Sequence, residues 1–148
     1  MLKWLLIFLI FFESLTLINC AKRGILTGGL KDTIPPVLIS ANPPINNLNF
    51  NSEKITLNFN EYIELKDINE QLIISPPLER KDYKIIPENT VTKKVEIEIN
   101  NQLRKNSTFT FNFGSSIVDY NEGNALPFFN YSFSTGDYLD SLKISGFV

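Results

Sequence analysis

The sequence predicts an all-β protein, an antiparallel β-sandwich of about seven strands preceded by a short N-terminal signal-peptide helix. Short runs in which apolar and polar residues alternate recur through most of the chain, and prolines and other turn residues separate them. Each run has one apolar face, so two sheets must cover each other to bury these faces. The length of 148 residues suffices for one such domain with short extensions.

Prolines border three of the first four predicted strands. Two proline pairs bracket Val37–Ser40, which predicts a short edge strand because proline cannot donate a hydrogen bond to a β-ladder. Lys54–Asn60 alternates strictly between apolar and polar residues and is predicted to be a half-buried strand. A third strand is predicted over Gln71–Ser75 and a fourth over Tyr83–Ile86, and both end at proline. The segment Glu61–Glu70 lacks a clean helical stripe and is interpreted as a bent connection with room for one helical turn.

The last three predicted strands are rich in residues that suit a half-buried sheet. They cover Lys94–Asn100, Thr108–Phe113 and Phe129–Ser134. Phenylalanines occupy alternate positions of the last two strands, so we expect their rings to face the core rather than to form a platform for a ligand. The pair Phe128-Phe129, directly after Pro127, stays open between these two roles.

The composition excludes several classes of active site. The chain has no histidine and one cysteine, which excludes Ser-His, Cys-His and histidine-metal sites as well as an intramolecular disulfide. Hydrophobic residues make up 43% and charged residues 20%, which is typical of a folded chain. The net charge is −2 and no basic block stands out, so we expect no nucleic-acid partner, and we predict neither a cofactor nor a metal.

The N-terminus has the features of an export signal. Lys3 supplies a positive start, and Trp4–Phe12 is an uninterrupted apolar run. A membrane span needs about 20 apolar residues, whereas the apolar part of an export signal needs roughly 7–15. The run is therefore predicted to direct export rather than to cross the bilayer.

The residues around the only cysteine are similar to a bacterial lipobox. Leu17, Ile18 and Asn19 precede Cys20 at the end of the apolar segment. The resemblance implies that the Cys20 thiol receives diacylglycerol and that the chain is cut before it. The alternative is a buried structural cysteine that follows an ordinary signal. The predicted organisation is a lipoprotein signal peptide over residues 1–19, a flexible tether over 20–33, the sandwich over 34–136 and a tail over 137–148.

Five segments carry weak motifs in a fixed order. They read D-x-x-P-P from Asp32, I-x-L-x-F over Ile55–Phe59, an L-to-F segment over Leu103–Phe111, an aspartate-to-Gly-Asn loop over Asp119–Asn124, and F-x-T over Phe133–Thr135. Together they resemble the bacterial Ig-like domains of the S-layer SbsA type. The resemblance implies that the sandwich has an Ig-like fold.

A second resemblance concerns the ends of the chain. Cys20–Gly24 and Thr135–Leu142 are similar to the corresponding parts of Bacteroidetes lipoproteins that carry this domain. In those proteins a further β-sandwich begins near the position of Ser141–Val148, so residues 137–148 are interpreted as the candidate start of a truncated second β domain. In those lipoproteins an acidic cluster after the cysteine marks transport to the cell surface. None follows Cys20, so the resemblance favours the periplasmic face of the outer membrane over the cell surface.

The loop Asp119–Asn124 is the one weak candidate for a metal site. Asp119, Asn121, Gly123 and Asn124 combine oxygen ligands with a glycine, which suits either calcium or an Asx-type turn. The spacing does not match the EF-hand pattern, and such turns are much commoner than metal loops. The loop is therefore interpreted as structural.

Two further sets of residues are weighed for chemistry. Glu61 and Glu64 could form a carboxylate pair for acid–base catalysis, but nothing in the sequence indicates a cleft around them. Thr33 and Ser141 each follow an aspartate and precede an apolar residue, a pattern associated with O-glycosylation in Bacteroidetes. Chance is the alternative explanation for both triplets.

The predicted function follows from the lipobox, the tether and the absence of a visible site. We expect a non-catalytic, lipid-anchored structural or interaction domain of a cell-envelope lipoprotein, which acts as a spacer or docks a protein. The partners would be the membrane, through the lipid on Cys20, and an envelope protein or glycan. A module that binds glycan or envelope polysaccharide is the alternative, and an enzyme is the least favoured class.

Overall fold

The structure is a computed structural model that describes residues 3–4, 29–88 and 90–140. The chain divides into two compact units, Met1–Lys31 and Asp32–Val148. Within the first unit Lys3 and Trp4 are helical, whereas the rest of the predicted signal peptide and Cys20 lie outside the described residues. None of the helices in the described parts of the chain has the length and hydrophobicity of a membrane span.

The second unit is a sandwich of two antiparallel sheets. Its described residues form eight strands and one short helix, which confirms the all-β class and the approximate strand number predicted from the alternating pattern. The elements are β1 (Leu38–Asn42), β2 (Lys54–Leu65), α1 (Ile68–Gln71), β3 (Ile73–Ser75), β4 (Tyr83–Ile86), β5 (Thr92–Ile99), β6 (Thr108–Asn112), β7 (Ile117–Asp119) and β8 (Asn130–Ser134).

The long strand β2 pairs mainly with β1 and β5 in its N-terminal part and with β7 near its C-terminal end. The five-stranded sheet has the order β1-β2-β5-β4, with β7 paired to β2, and the three-stranded sheet has the order β3-β6-β8. The register between β2 and β5 shifts between Asn58 and Ile63. Beyond this irregularity Ile63 lies opposite Asp119 in β7. β2 thereby reaches the loop that begins at Asp119.

The alternating pattern did not predict β7, and the second strand that it predicted ends before β2 does. All three residues of β7 are buried, so the strand lacks the alternation that marks a half-buried strand. β2 continues to Leu65, five residues past the predicted end at Asn60, and α1 follows as a single helical turn. The predicted bent connection thus contains both a strand extension and a helical turn.

Aromatic side chains form the centre of the core. The ring centroid of Phe133 lies 3.9 Å from that of Phe50, 5.6 Å from Phe109 and 6.3 Å from Phe111. All four residues are buried, which confirms the inward orientation predicted for the phenylalanines of β6 and β8. Phe133 therefore packs against rings from β6 and from the segment that precedes β2. The other members of the core are Ile55, Leu57, Phe59, Ile63, Ile85, Val95, Ile97, Ile99, Phe113, Ile117 and Tyr131.

The outer edge of β8 is covered by the segment of residues 46–50. The N–H of Asn46 donates to the carbonyl oxygen of Ser132 at 2.7 Å, and the N–H of Phe50 donates to that of Ser134 at 2.9 Å. These bonds satisfy backbone groups that a free edge would present to another chain. The three-stranded sheet is thus closed along β8, and β3 is its other edge.

Candidate functional site

The loop after β7 is organised by the side chain of Asp119. Its Oδ1 accepts hydrogen bonds from the N–H of Glu122 at 2.6 Å and of Gly123 at 3.0 Å. Its Oδ2 accepts one from the N–H of Asn124 at 2.7 Å. Asp119 is only 2% exposed, and Gly123 takes a φ of 80°, which a residue without Cβ adopts readily. Both carboxylate oxygens are therefore engaged within the loop, as in an Asx-type turn.

The same contacts determine the charge state of Asp119. Burial by itself would raise the pKa of this carboxyl, but hydrogen bonds from the N–H groups of Glu122, Asn124 and Gly123 stabilise the charged form more strongly. The pKa of Asp119 is thus held below its usual value. Among the described residues, no group of three or more acidic or cysteine side chains is arranged to hold a metal ion. The interpretation of the loop as structural stays a prediction, which the engaged oxygens support.

The loop also fastens the segment that leads into β1. The side-chain amide of Asn124 donates to the carbonyl oxygen of Asp32 at 3.1 Å and to that of Ile34 at 3.5 Å. The N–H of Ile34 donates in turn to Oδ1 of Asp32 at 2.9 Å. We refer to Asp32, Ile34, Asp119 and Asn124 as the incoming-chain clamp. It joins the start of the domain to a loop from its C-terminal half, about 90 residues further along the chain.

Glu61 lies close to the clamp, within the irregular stretch of β2 between Asn58 and Ile63. Burial, followed by the negative charges of Asp119 and Asp32, raises the pKa of Glu61. Glu64 lies opposite Val118 in β7. Side chains alternate along a strand, so two residues that are three positions apart belong to opposite faces. The strand geometry therefore groups Glu61 with the clamp rather than with Glu64.

Replacing Glu61 by glutamine is expected to stabilise the domain at neutral pH. The folded state raises the pKa of Glu61, so folding opposes its ionisation, and glutamine removes that cost. The gain should be present near pH 7 and should vanish below about pH 4, where unfolded glutamate also binds its proton. Thermal melts at both pH values test this, with Glu64→Gln as the matched control. An equal gain in both variants, or one that persists in acid, contradicts the assignment.

The fold and the order of these segments agree with a known family. The profile of the bacterial Ig-like domain matches residues 32–135, from the clamp to the end of β8. The chain belongs to the bacterial Ig-like domain family. No curated protein matches the chain. Domains of this family are generally non-catalytic structural or interaction modules.

The remaining predicted site residues lie at or beyond the ends of the Ig-like domain. Cys20 and the lipobox residues Leu17, Ile18 and Asn19 lie outside the described residues, as does Ser141. Thr33 is exposed beside the incoming-chain clamp. Lipidation of Cys20 and glycosylation of Thr33 and Ser141 therefore stay predictions.

A shallow cleft lies between the β5–β6 connection and the residues before β2. Its volume is about 560 Å³, and its lining includes Phe50, Asn100, Asn101 and Asn106. The asparagines supply amide groups to the lining, and Phe50, which also lines the cleft, stacks on the core ring of Phe133. We assign no chemistry to this cleft, because its aromatic residue is committed to the core.

The sequence leaves the pair Phe128-Phe129 open between the core and a ligand platform, and the structure separates the two residues. Phe128 is 78% exposed, whereas Phe129 packs against the core of the Ig-like domain. The only sequence signal was the adjacency of two phenylalanines before a strand, because one face of a strand cannot accept both. Which of the two would be exposed depended on the backbone conformation of the turn.

Proposed function

We propose that the chain is a lipid-anchored, non-catalytic Ig-like module of a cell-envelope lipoprotein, which spaces a downstream segment or a partner from the membrane. The observation that carries this proposal is the incoming-chain clamp. Asp32 lies twelve residues after Cys20, and its carbonyl is bonded to Asn124 within the body of the domain. A lipid on Cys20 would therefore be connected to the folded Ig-like domain, because the chain is hydrogen-bonded to that domain from Asp32 onward.

The length of the segment between Cys20 and Asp32 limits the distance between a lipid on Cys20 and the Ig-like domain. A fully extended chain spans at most ~3.5 Å per residue, so the segment between Cys20 and Asp32 reaches about 40 Å. Gly24, Gly28 and Gly29 lie in this segment, and this composition supports the tether predicted from the sequence. One acyl chain binds a membrane only weakly, whereas two or three anchor a domain durably.

The contacts of the acidic residues favour a structural module over an enzyme. A catalytic carboxylate needs an oxygen that is free to exchange a proton with a substrate. Both oxygens of Asp119 accept backbone hydrogen bonds, and Glu61 is adjacent to the clamp. In finer detail, we propose that the chain is an SbsA-type Bacteroidetes lipoprotein on the periplasmic face of the outer membrane. The lipobox and the order of the motifs support this proposal.

Substitution of Cys20 by serine is expected to abolish lipid attachment. The full chain, expressed in a Gram-negative host fed alkyne-tagged palmitate, should carry the label and sediment with membranes. Cys20→Ser should lose the label, because serine lacks the thiol that receives the lipid, and should keep the mass of the uncleaved chain. Ser14→Ala, in the same leader, is the matched control and should behave as the native chain. An unlabelled native chain, or a label that survives in Cys20→Ser, would overturn the anchor.

A further inference from the structure

Two rows of side chains cross the outer face of the three-stranded sheet, opposite the core-facing rings of β6 and β8. The strand register aligns them. The first row is Ile73, Asn112 and Asn130, and the second row is Ser75, Thr110 and Ser132. None of the six is ionisable. We refer to these six residues as the neutral face.

The outer face of the five-stranded sheet differs in charge. Lys54 lies 3.4 Å from both Glu96 and Glu98, and Lys94 lies 3.0 Å from Glu96. That sheet therefore carries the paired charges that are common on a solvated β-sheet. The neutral face offers only hydroxyl and amide groups together with Ile73, which is 64% exposed.

An exposed aromatic residue, Phe128, lies next to the first row in the chain. Phe128, two residues before Asn130, has a φ of 54° and is 78% exposed. The left-handed backbone region is strained for a bulky residue, and the ring gains little burial in return. Residues in sparsely populated backbone regions cluster at active sites and ligand-binding sites.

The two amides of the first row fix the turn that carries this ring. The Nδ2 of Asn130 donates to the carbonyl oxygen of Phe128 at 3.0 Å, and the N–H of Phe128 donates to that of Gly114 at 2.8 Å. The N–H of Gly114 donates to Oδ1 of Asn112 at 2.8 Å. Within the described residues, Nδ2 of Asn112 and Oδ1 of Asn130 make no hydrogen bond, so the row presents an amide NH₂ group as donor and an amide oxygen as acceptor to a ligand.

We propose that the neutral face, together with Phe128, binds a neutral saccharide chain. A sugar hydroxyl both donates and accepts, which matches the donor of Asn112 and the acceptor of Asn130 in neighbouring positions. The apolar faces of a sugar ring pack on an aromatic ring, for which Phe128 is available. An anionic polysaccharide would find no cation among these six residues. The proposal does not depend on the lipid anchor.

Affinity electrophoresis of the full chain tests the proposal with defined probes. Native gels contain dextran, laminarin, yeast mannan or xylan, with anionic polygalacturonate as the charged probe. Retardation is expected with at least one of the neutral probes and not with polygalacturonate. Phe128→Gly should weaken that retardation by about tenfold or more. Because glycine is free of strain at a φ of 54°, the same variant should melt no lower than the native chain, so the loss cannot be attributed to unfolding.

Tyr62→Ala is the matched control. Tyr62 is a 57% exposed aromatic residue in β2, which belongs to the other sheet, and its loss should leave retardation unchanged. No retardation with any neutral probe would overturn the proposal. So would retardation by polygalacturonate alone, equal binding by native chain and Phe128→Gly, or equal loss in Tyr62→Ala. Self-association that disappears in Phe128→Gly, without retardation by a neutral probe, would identify the occupant as a second copy of the chain and would also overturn it.

Discussion

Replacing Phe133 by alanine is expected to destabilise the Ig-like domain by about 3–5 kcal/mol. Phe133 is fully buried, and its ring centroid lies within 3.9–6.3 Å of those of four other aromatic residues. Alanine removes both the apolar surface and the aromatic contacts and leaves a cavity that β8 and β6 cannot easily close. Small domains are stable by only roughly 5–15 kcal/mol, so the loss is a large fraction of the total.

Urea denaturation followed by circular dichroism measures this loss. Phe128→Ala is the matched control, because it makes the same chemical change at a residue that is 78% exposed. We expect the midpoint of Phe128→Ala to stay close to that of the native chain, whereas Phe133→Ala shifts far toward low urea or is unfolded without it. Similar midpoints for the two variants would contradict the assignment of Phe133 to the centre of the core.

Replacing Asp119 by asparagine is expected to lower the thermal midpoint at pH 7 by on the order of 10 °C. The two side chains have nearly the same shape, but asparagine offers one acceptor and no charge. Its Nδ2 would meet an N–H group of the loop, either that of Asn124 or those of Glu122 and Gly123. A buried N–H group that loses its acceptor destabilises the fold, and the displaced loop would release the incoming-chain clamp.

The dependence on pH distinguishes this charge effect from a general loss of packing. Because the folded pKa of Asp119 is lowered, its stabilising contribution is present above the unfolded value of about 3.9 and is lost as pH falls through the folded pKa. The difference between native chain and Asp119→Asn should therefore shrink in acid. Asp137→Asn, at an exposed position, is the control for charge alone. A difference that stays constant down to pH 2, or one equal to that of Asp137→Asn, would contradict the role of the carboxylate.

Only the local part of the incoming-chain clamp could be predicted from the sequence. The loop at Asp119–Asn124 was identified because aspartate, glycine and asparagine have local turn chemistry, in which the side chain bonds to backbone a few residues away. The bond from Asn124 to Asp32 could not be predicted in this way, because it joins residues far apart in the chain. The raised pKa of Glu61 has the same origin, since β7 and the loop reach β2 only in the folded state.

The class of fold, most of the strands and the inward faces of β2, β5, β6 and β8 could be predicted from the order of the residues alone. These properties follow from the period of two residues that a half-buried strand imposes on its own side chains. Four features became visible only in the folded chain. They are β7, the partner change of β2, the incoming-chain clamp and the neutral face with the positive φ of Phe128. Each of these depends on which strands become neighbours and on turn conformations between them, and alternation within one strand carries no information about either.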